Sequence, residues 1–157
     1  MGEEVEDQKK SEDINKQIKH LEFIQAVVTR LNTNSFQVKG LAVTLVSALL
    51  ALAASTKEDE ILLIALPMVV IFWFLDAYYL RQERLFREVY KEASGRKMKN
   101  IKPKYLKTPL AVFDMNVDRY RGKTLTYSSA FWSVTIRNLY LSVFALIWVA
   151  YMIMVSN

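Results

Sequence analysis

The sequence predicts an all-α integral membrane protein: three transmembrane helices, an amphipathic helix ahead of them, and a basic cytoplasmic segment between the second span and the third. Three observations lead there. Charged residues are 24% of the 157, yet they crowd into residues 1–39 and 81–137, whereas a soluble fold spreads its charges over a continuous surface. Three stretches almost free of charge, 36–54, 61–80 and 138–155, are each about the length that crosses a hydrocarbon core. The 21 Lys and Arg residues divide very unevenly among the segments between those stretches.

Residues 1–13 form a charged tail, expected to fray. They lack the basic start and apolar run of a signal peptide, and Glu6 stands where a myristoylation signal needs Ser or Thr. Over 14–33, Ile14, Ile18, Leu21, Ile24, Val27, Val28 and Leu31 recur at spacings of three and four, the pattern of an amphipathic helix. Ser11 is placed to cap it, and Asn32-Thr-Asn-Ser35 is expected to end it. Residues 1–35 thus read as cytoplasmic tail and amphipathic helix.

Residues 36–80 read as a transmembrane hairpin. Its first span, 36–54, is about 28 Å long at 1.5 Å per residue. A polar turn over 55–60 leads into the second span, 61–80, which contains Pro67 and Asp76. Helical character runs on to Ala93, and Ser94-Gly95 stops it. In the 81–137 segment, 96–109 reads as an irregular basic loop with two prolines, and 110–124 as loop with one helical turn at most. Helix resumes near Ser128, and the third span, 138–155, has Arg137 at its mouth.

Lys and Arg number six in residues 1–39, one in the 55–60 turn (Lys57) and fourteen in 81–137. The positive-inside rule places the N-terminus and 81–137 in the cytoplasm of a bacterial inner membrane, with the 55–60 turn and the C-terminus outside. Local charge is about +9 in 81–137 and −1 in 1–39. Aromatic residues gather at the expected span edges: Phe72, Trp73, Phe74, Tyr78, Tyr79, Trp132 and Tyr140 inward, Trp148 and Tyr151 outward.

Several constellations are candidates for function. Gly40, Thr44 and Ala48 make a stripe of small residues along the first span. Such a stripe lets helices approach closely in lipid, either within one subunit or at an interface between subunits. Three helices enclose no channel, so a pore requires an oligomer. Asp76 is the one acid inside a span, with Lys39 and Arg137 at matching depth. Together they suit a structural ion pair, Asp76 with Arg137 or Lys39, or a charged ring at a pore mouth. Arg96, Lys97, Lys99, Lys102, Lys104 and Lys107 suit anionic lipid or an anionic signalling ligand. Nucleic acid is disfavoured, and no Gly-rich phosphate cradle is present.

On the helix beyond the second span, Arg84 and Arg87 lie close enough to Glu88 and Glu83 to pair. His20, the single histidine, reads as a surface residue. Asp114, Asn116 and Asp118 suit turns and caps better than a metal. With no cysteine and no nucleophile–base–acid set, the chain does not read as an enzyme, and no metal or cofactor is expected.

The runs Asn34-Ser-Phe-Gln-Val-Lys-Gly40 and Trp73-Phe-Leu-Asp-Ala-Tyr-Tyr-Leu-Arg-Gln-Glu-Arg-Leu-Phe-Arg87 resemble a recurring type of small multi-span bacterial membrane protein, through residues 20–92 and more loosely to the C-terminus. The chain is also similar in plan to the transmembrane effectors of bacterial anti-phage defence. That resemblance implies a homo-oligomer that forms a pore or disrupts the membrane. The alternative is a non-conducting anchor or scaffold that recruits a cytoplasmic protein.

Overall fold

In the computed structural model, residues 2–96, 110–122 and 125–156 are described. They are mostly helical, with no strand among them. Helix α1 runs Gly2–Thr56, α2 Glu60–Ala93, α3 Tyr127–Phe131 and α4 Val134–Ser156, and a 3-10 turn covers Asp118–Tyr120. Three of these helices, α1, α2 and α4, are long and apolar enough to cross a membrane.

Helix α1 overturns two expectations. The charged tail is helical from Gly2, and Asn32-Thr-Asn-Ser35 does not end the helix. Asn, Thr and Ser each cost only about half a kcal/mol in a helix interior relative to Ala. No proline occurs before Pro67, so nothing removes a backbone donor, and Ser35 spends its hydroxyl on a side-chain bond instead of a cap. Helix α1 stops at Lys57, which takes a left-handed φ of 60° and donates its N–H to the Ala53 carbonyl at 2.8 Å. Helix α2 stops as the sequence anticipates. Gly95 has φ 69°, its N–H bonds the Glu92 carbonyl, and the Arg96 N–H bonds the Lys91 carbonyl. That double closure is a Schellman motif, and it needs a residue that tolerates positive φ.

The chain divides into two compact units, one of residues 1–31 with 82–126, the other of residues 32–81 with 127–157. Residues 127–137 therefore group with the apolar helices.

In the apolar unit, one face of each long helix is buried: Val38, Ala42, Val46 and Ala53 on α1, Leu62, Ala65, Val69, Trp73 and Ala77 on α2, and Ile136, Tyr140, Val143 and Ile147 on α4. The four alanines allow the backbones to come close. The outward faces are apolar too, with Phe36, Leu41, Ile64, Ile71, Leu146, Trp148 and Ile153 all more than half exposed. An all-round apolar helix belongs in lipid or a large core. Trp73, one of the expected span-edge aromatics, is 7% exposed. It stacks on Phe131 at 4.5 Å and on Tyr140 at 5.7 Å, and its Nε1–H donates to the Phe131 carbonyl at 3.1 Å. The helix resumes at Tyr127 and breaks at Trp132–Ser133 before α4, so the expected single run from Ser128 is two helices.

In the charged unit, Ile24, Leu85, Val89, Tyr120 and Leu125 form the core. Of the apolar positions predicted on the first helix, Ile24 is fully buried, while Ile14 and Ile18 remain about half exposed. Glu92 ties the 3-10 turn to the last turn of α2. It accepts from Arg119 at 3.0 Å and from the Tyr120 hydroxyl at 2.7 Å. Burial pushes the Tyr120 phenol well above its usual range, and the bond to Glu92 adds to the shift.

Candidate functional site

In the apolar unit a buried cluster of polar and charged side chains joins α1 to α2. Ser35 and Lys39 stand four residues apart on α1, so they share a face, and Asp76 of α2 meets them there. The Lys39 ammonium donates to Asp76 Oδ1 and to Ser35 Oγ, both at 2.7 Å. The Ser35 hydroxyl in turn donates to the same Asp76 oxygen at 2.5 Å. Asp76 is fully buried and Ser35 is 5% exposed, while the Lys39 side chain keeps 22% of its surface open. Lys39 thus neutralises the acid while its own stem reaches toward the outside, as long cationic side chains do near an apolar boundary. Asp76 Oδ2 has no hydrogen-bond partner among the described residues. Tyr140 of α4 lies close to Asp76, and its hydroxyl donates to the Phe72 carbonyl at 3.1 Å.

Of the three charged residues expected at one depth, the structure brings Asp76 and Lys39 together and leaves Arg137 apart. Arg137 is partly exposed, and among the described residues its side chain makes no hydrogen bond or ion pair with Asp76 or any other acid. Within one chain Asp76 is sealed and lines no opening. Sequence reasoning missed Ser35, taken for a helix terminator, and Tyr140, taken for an edge aromatic. The available signal was the i, i+4 spacing of Ser35 and Lys39 on the face that carries Val38 and Ala42.

Gly40, Thr44 and Ala48 are all exposed, and a Cβ on Gly40 would meet nothing within 4 Å. The stripe therefore makes no packing surface inside the chain; the helix is offset so that Ala42 and Val46 face inward instead. Arg96 is exposed. Lys97, Lys99, Lys102, Lys104 and Lys107 lie outside the described residues.

In the charged unit, Arg87 pairs with Glu83 at 2.6 Å and Lys91 with Glu88 at 2.6 Å. Asp114 and Asn116 accept from backbone N–H groups two residues on, both at 2.9 Å, which is the Asx-turn role. No group of three or more potential metal ligands occurs among the described residues. His20 corrects the surface reading: it is 4% exposed, packs 5.8 Å from the Phe113 ring, and its Nε2 has no hydrogen-bond partner among the described residues. The helical face that contains Ile24 also contains His20, four residues earlier, so burial of one draws in the other. No protein family matches the chain, and no curated protein or solved structure does either.

Proposed function

We propose that the chain is a non-catalytic, homo-oligomeric protein of the bacterial inner membrane that forms a pore or acts as a membrane-disrupting effector, with anti-phage defence as the setting its plan resembles. Residues 1–35 and 81–137 would lie in the cytoplasm and the 55–60 turn and C-terminus outside. The observation that carries this reading is the exposure of Gly40, Thr44 and Ala48. The chain packs its own helices on other residues, so the stripe stays open for close contact with another subunit. In lipid little hydrophobic drive acts between helices, and small residues in close contact supply the main attraction.

One observation favours the second reading, a non-conducting anchor that recruits a cytoplasmic partner. Asp76, the acid that would face a cation, is buried and held by Lys39 and Ser35.

The test is particle mass in nanodiscs together with dye release from liposomes. Wild type is expected to be oligomeric and leaky, and Gly40→Leu or Ala48→Leu to shift mass toward monomer and reduce release. A wild type that is monomeric removes the pore reading. An oligomer that releases no dye leaves the anchor. Reporters active only outside the cytoplasm, fused at residues 58 and 157, check the orientation; silence from both would overturn it.

A further inference from the structure

The charged unit has an open groove that the reading above does not use. Helix α1 supplies Phe23, Ala26, Val27 and Arg30, and the loop ahead of the 3-10 turn supplies Phe113 and Met115. Its volume is about 550 Å³, within the range of small-molecule sites. Three independent features meet there. Phe23 and Phe113 are 56% and 49% exposed, with their rings edge-on at 6.0 Å, so two large apolar side chains stand in the open. Phe113 has φ 66°, a left-handed conformation that an aromatic residue rarely takes and that marks strain held for a reason. Arg30 is exposed, and among the described residues no hydrogen bond or ion pair is recorded for its guanidinium.

We propose that this groove binds a long-chain fatty carboxylate. The acyl chain lies against Phe23, Val27, Phe113 and Met115, and the carboxylate pairs with Arg30. Charge complementarity selects this occupant: among the described residues that line it, the groove offers one cation, Arg30, at an otherwise apolar wall. An acyl chain brings no polar group except its carboxylate, which an Arg fork can hold by two parallel bonds. A peptide would bring amides to be satisfied, and the α1 wall offers only helical backbone that is already bonded to itself. The proposal is independent of the oligomeric reading.

The experiment uses the full chain in nanodiscs of zwitterionic lipid and a palmitate analogue with a diazirine in its tail. After illumination, the labelled residues are mapped by peptide mass spectrometry. Labelling is expected on the peptides containing residues 23–30 and 113–115. Palmitate should compete about tenfold better than methyl palmitate, the ratio that one charge-assisted contact of this kind confers. Arg30→Gln, an exposed change, should lower labelling of the groove about tenfold with unchanged thermal melting. Val27→Trp should abolish it by filling the space. Should Val27→Trp fail to fold, Ala26→Phe at an exposed position fills the same space. Label confined to the apolar unit, residues 32–81 and 127–157, overturns the proposal, as does equal competition by the ester with no effect of Arg30→Gln. A Phe23→Cys with Phe113→Cys variant that cross-links between chains and excludes the probe also overturns it, because the occupant is then a second copy.

Discussion

The two units hold a paired acid in opposite ways. In the apolar unit Asp76 is sealed, and its ionised partner is the single Lys39, with Ser35 as a neutral bridge. In the charged unit Glu92 keeps 13% of its side chain open, Arg119 keeps 16%, and a tyrosine shares the carboxylate. Few waters can reach Asp76 if a partner is lost, so its loss is absolute. Around Glu92 solvent and neighbouring charges can substitute. The environment, not the residue type, sets what an ion pair is worth.

The sharpest way to break that contrast is to remove one partner at a time. Lys39→Met leaves the fully buried Asp76 carboxylate without its cation and is expected to destabilise the apolar unit by about 3–5 kcal/mol, measured by reversible unfolding in mild detergent. Asp76→Leu combined with Lys39→Met should recover most of that loss, since well-packed apolar replacements of a buried pair are often neutral. Arg137→Ala should change stability by less than about 0.5 kcal/mol. If Arg137→Ala proves as damaging as Lys39→Met, the pairing described for Lys39 is wrong.

Packing gives the next effect. Ala42→Leu inserts bulk into a buried face and should cost about 1–3 kcal/mol, whereas Ala48→Leu, on an exposed face, should leave unfolding of the isolated chain unchanged. Equal losses from the two would erase the distinction between the inner face and the open stripe.

In the charged unit, Tyr120→Phe removes the hydroxyl that Glu92 accepts and should cost about 1 kcal/mol. The sign of its pH dependence follows from the raised phenol. The folded state favours the neutral phenol, so the contribution is complete below the unfolded value of about 10 and falls as pH rises beyond it. Stability of wild type should therefore drop above about pH 10 more steeply than that of Tyr120→Phe, as followed by circular dichroism melting. The smallest effect is a gain: Lys57→Gly relieves the left-handed position at the end of α1 and should add about 0.5–1 kcal/mol.

The three apolar helices were legible because length and lack of charge suffice to identify them. The end of α2 was legible for a different reason: Gly95 is the residue a left-handed stop calls for. Asn32-Thr-Asn-Ser35 misled because polar residues only weaken a helix, and an uninterrupted hydrogen-bond ladder on both sides outweighs them. His20 misled because hydropathy assigns histidine to the surface, while burial is decided by the face it shares with Ile24. Asp76 could be singled out as an isolated acid, but the choice between Lys39 and Arg137 depended on the rotation of α1 and α4 about their axes. Such rotation is set by side-chain packing, which one sequence does not display. The same rotation left Gly40, Thr44 and Ala48 outward and turned Ala42 in.

The sandwich of Trp73 between Phe131 and Tyr140 gives the apolar unit an optical signature. The chain has three tryptophans, and the other two, Trp132 and Trp148, are 59% and 64% exposed. Emission from Trp73 is therefore shielded from a water-soluble quencher, and its near-ultraviolet dichroism is fixed by two flanking rings. With Trp132→Phe and Trp148→Phe in place, one fluorophore would remain, seated where residues from α2, α3 and α4 meet. Its colour and its accessibility would report directly whether those three helices have docked.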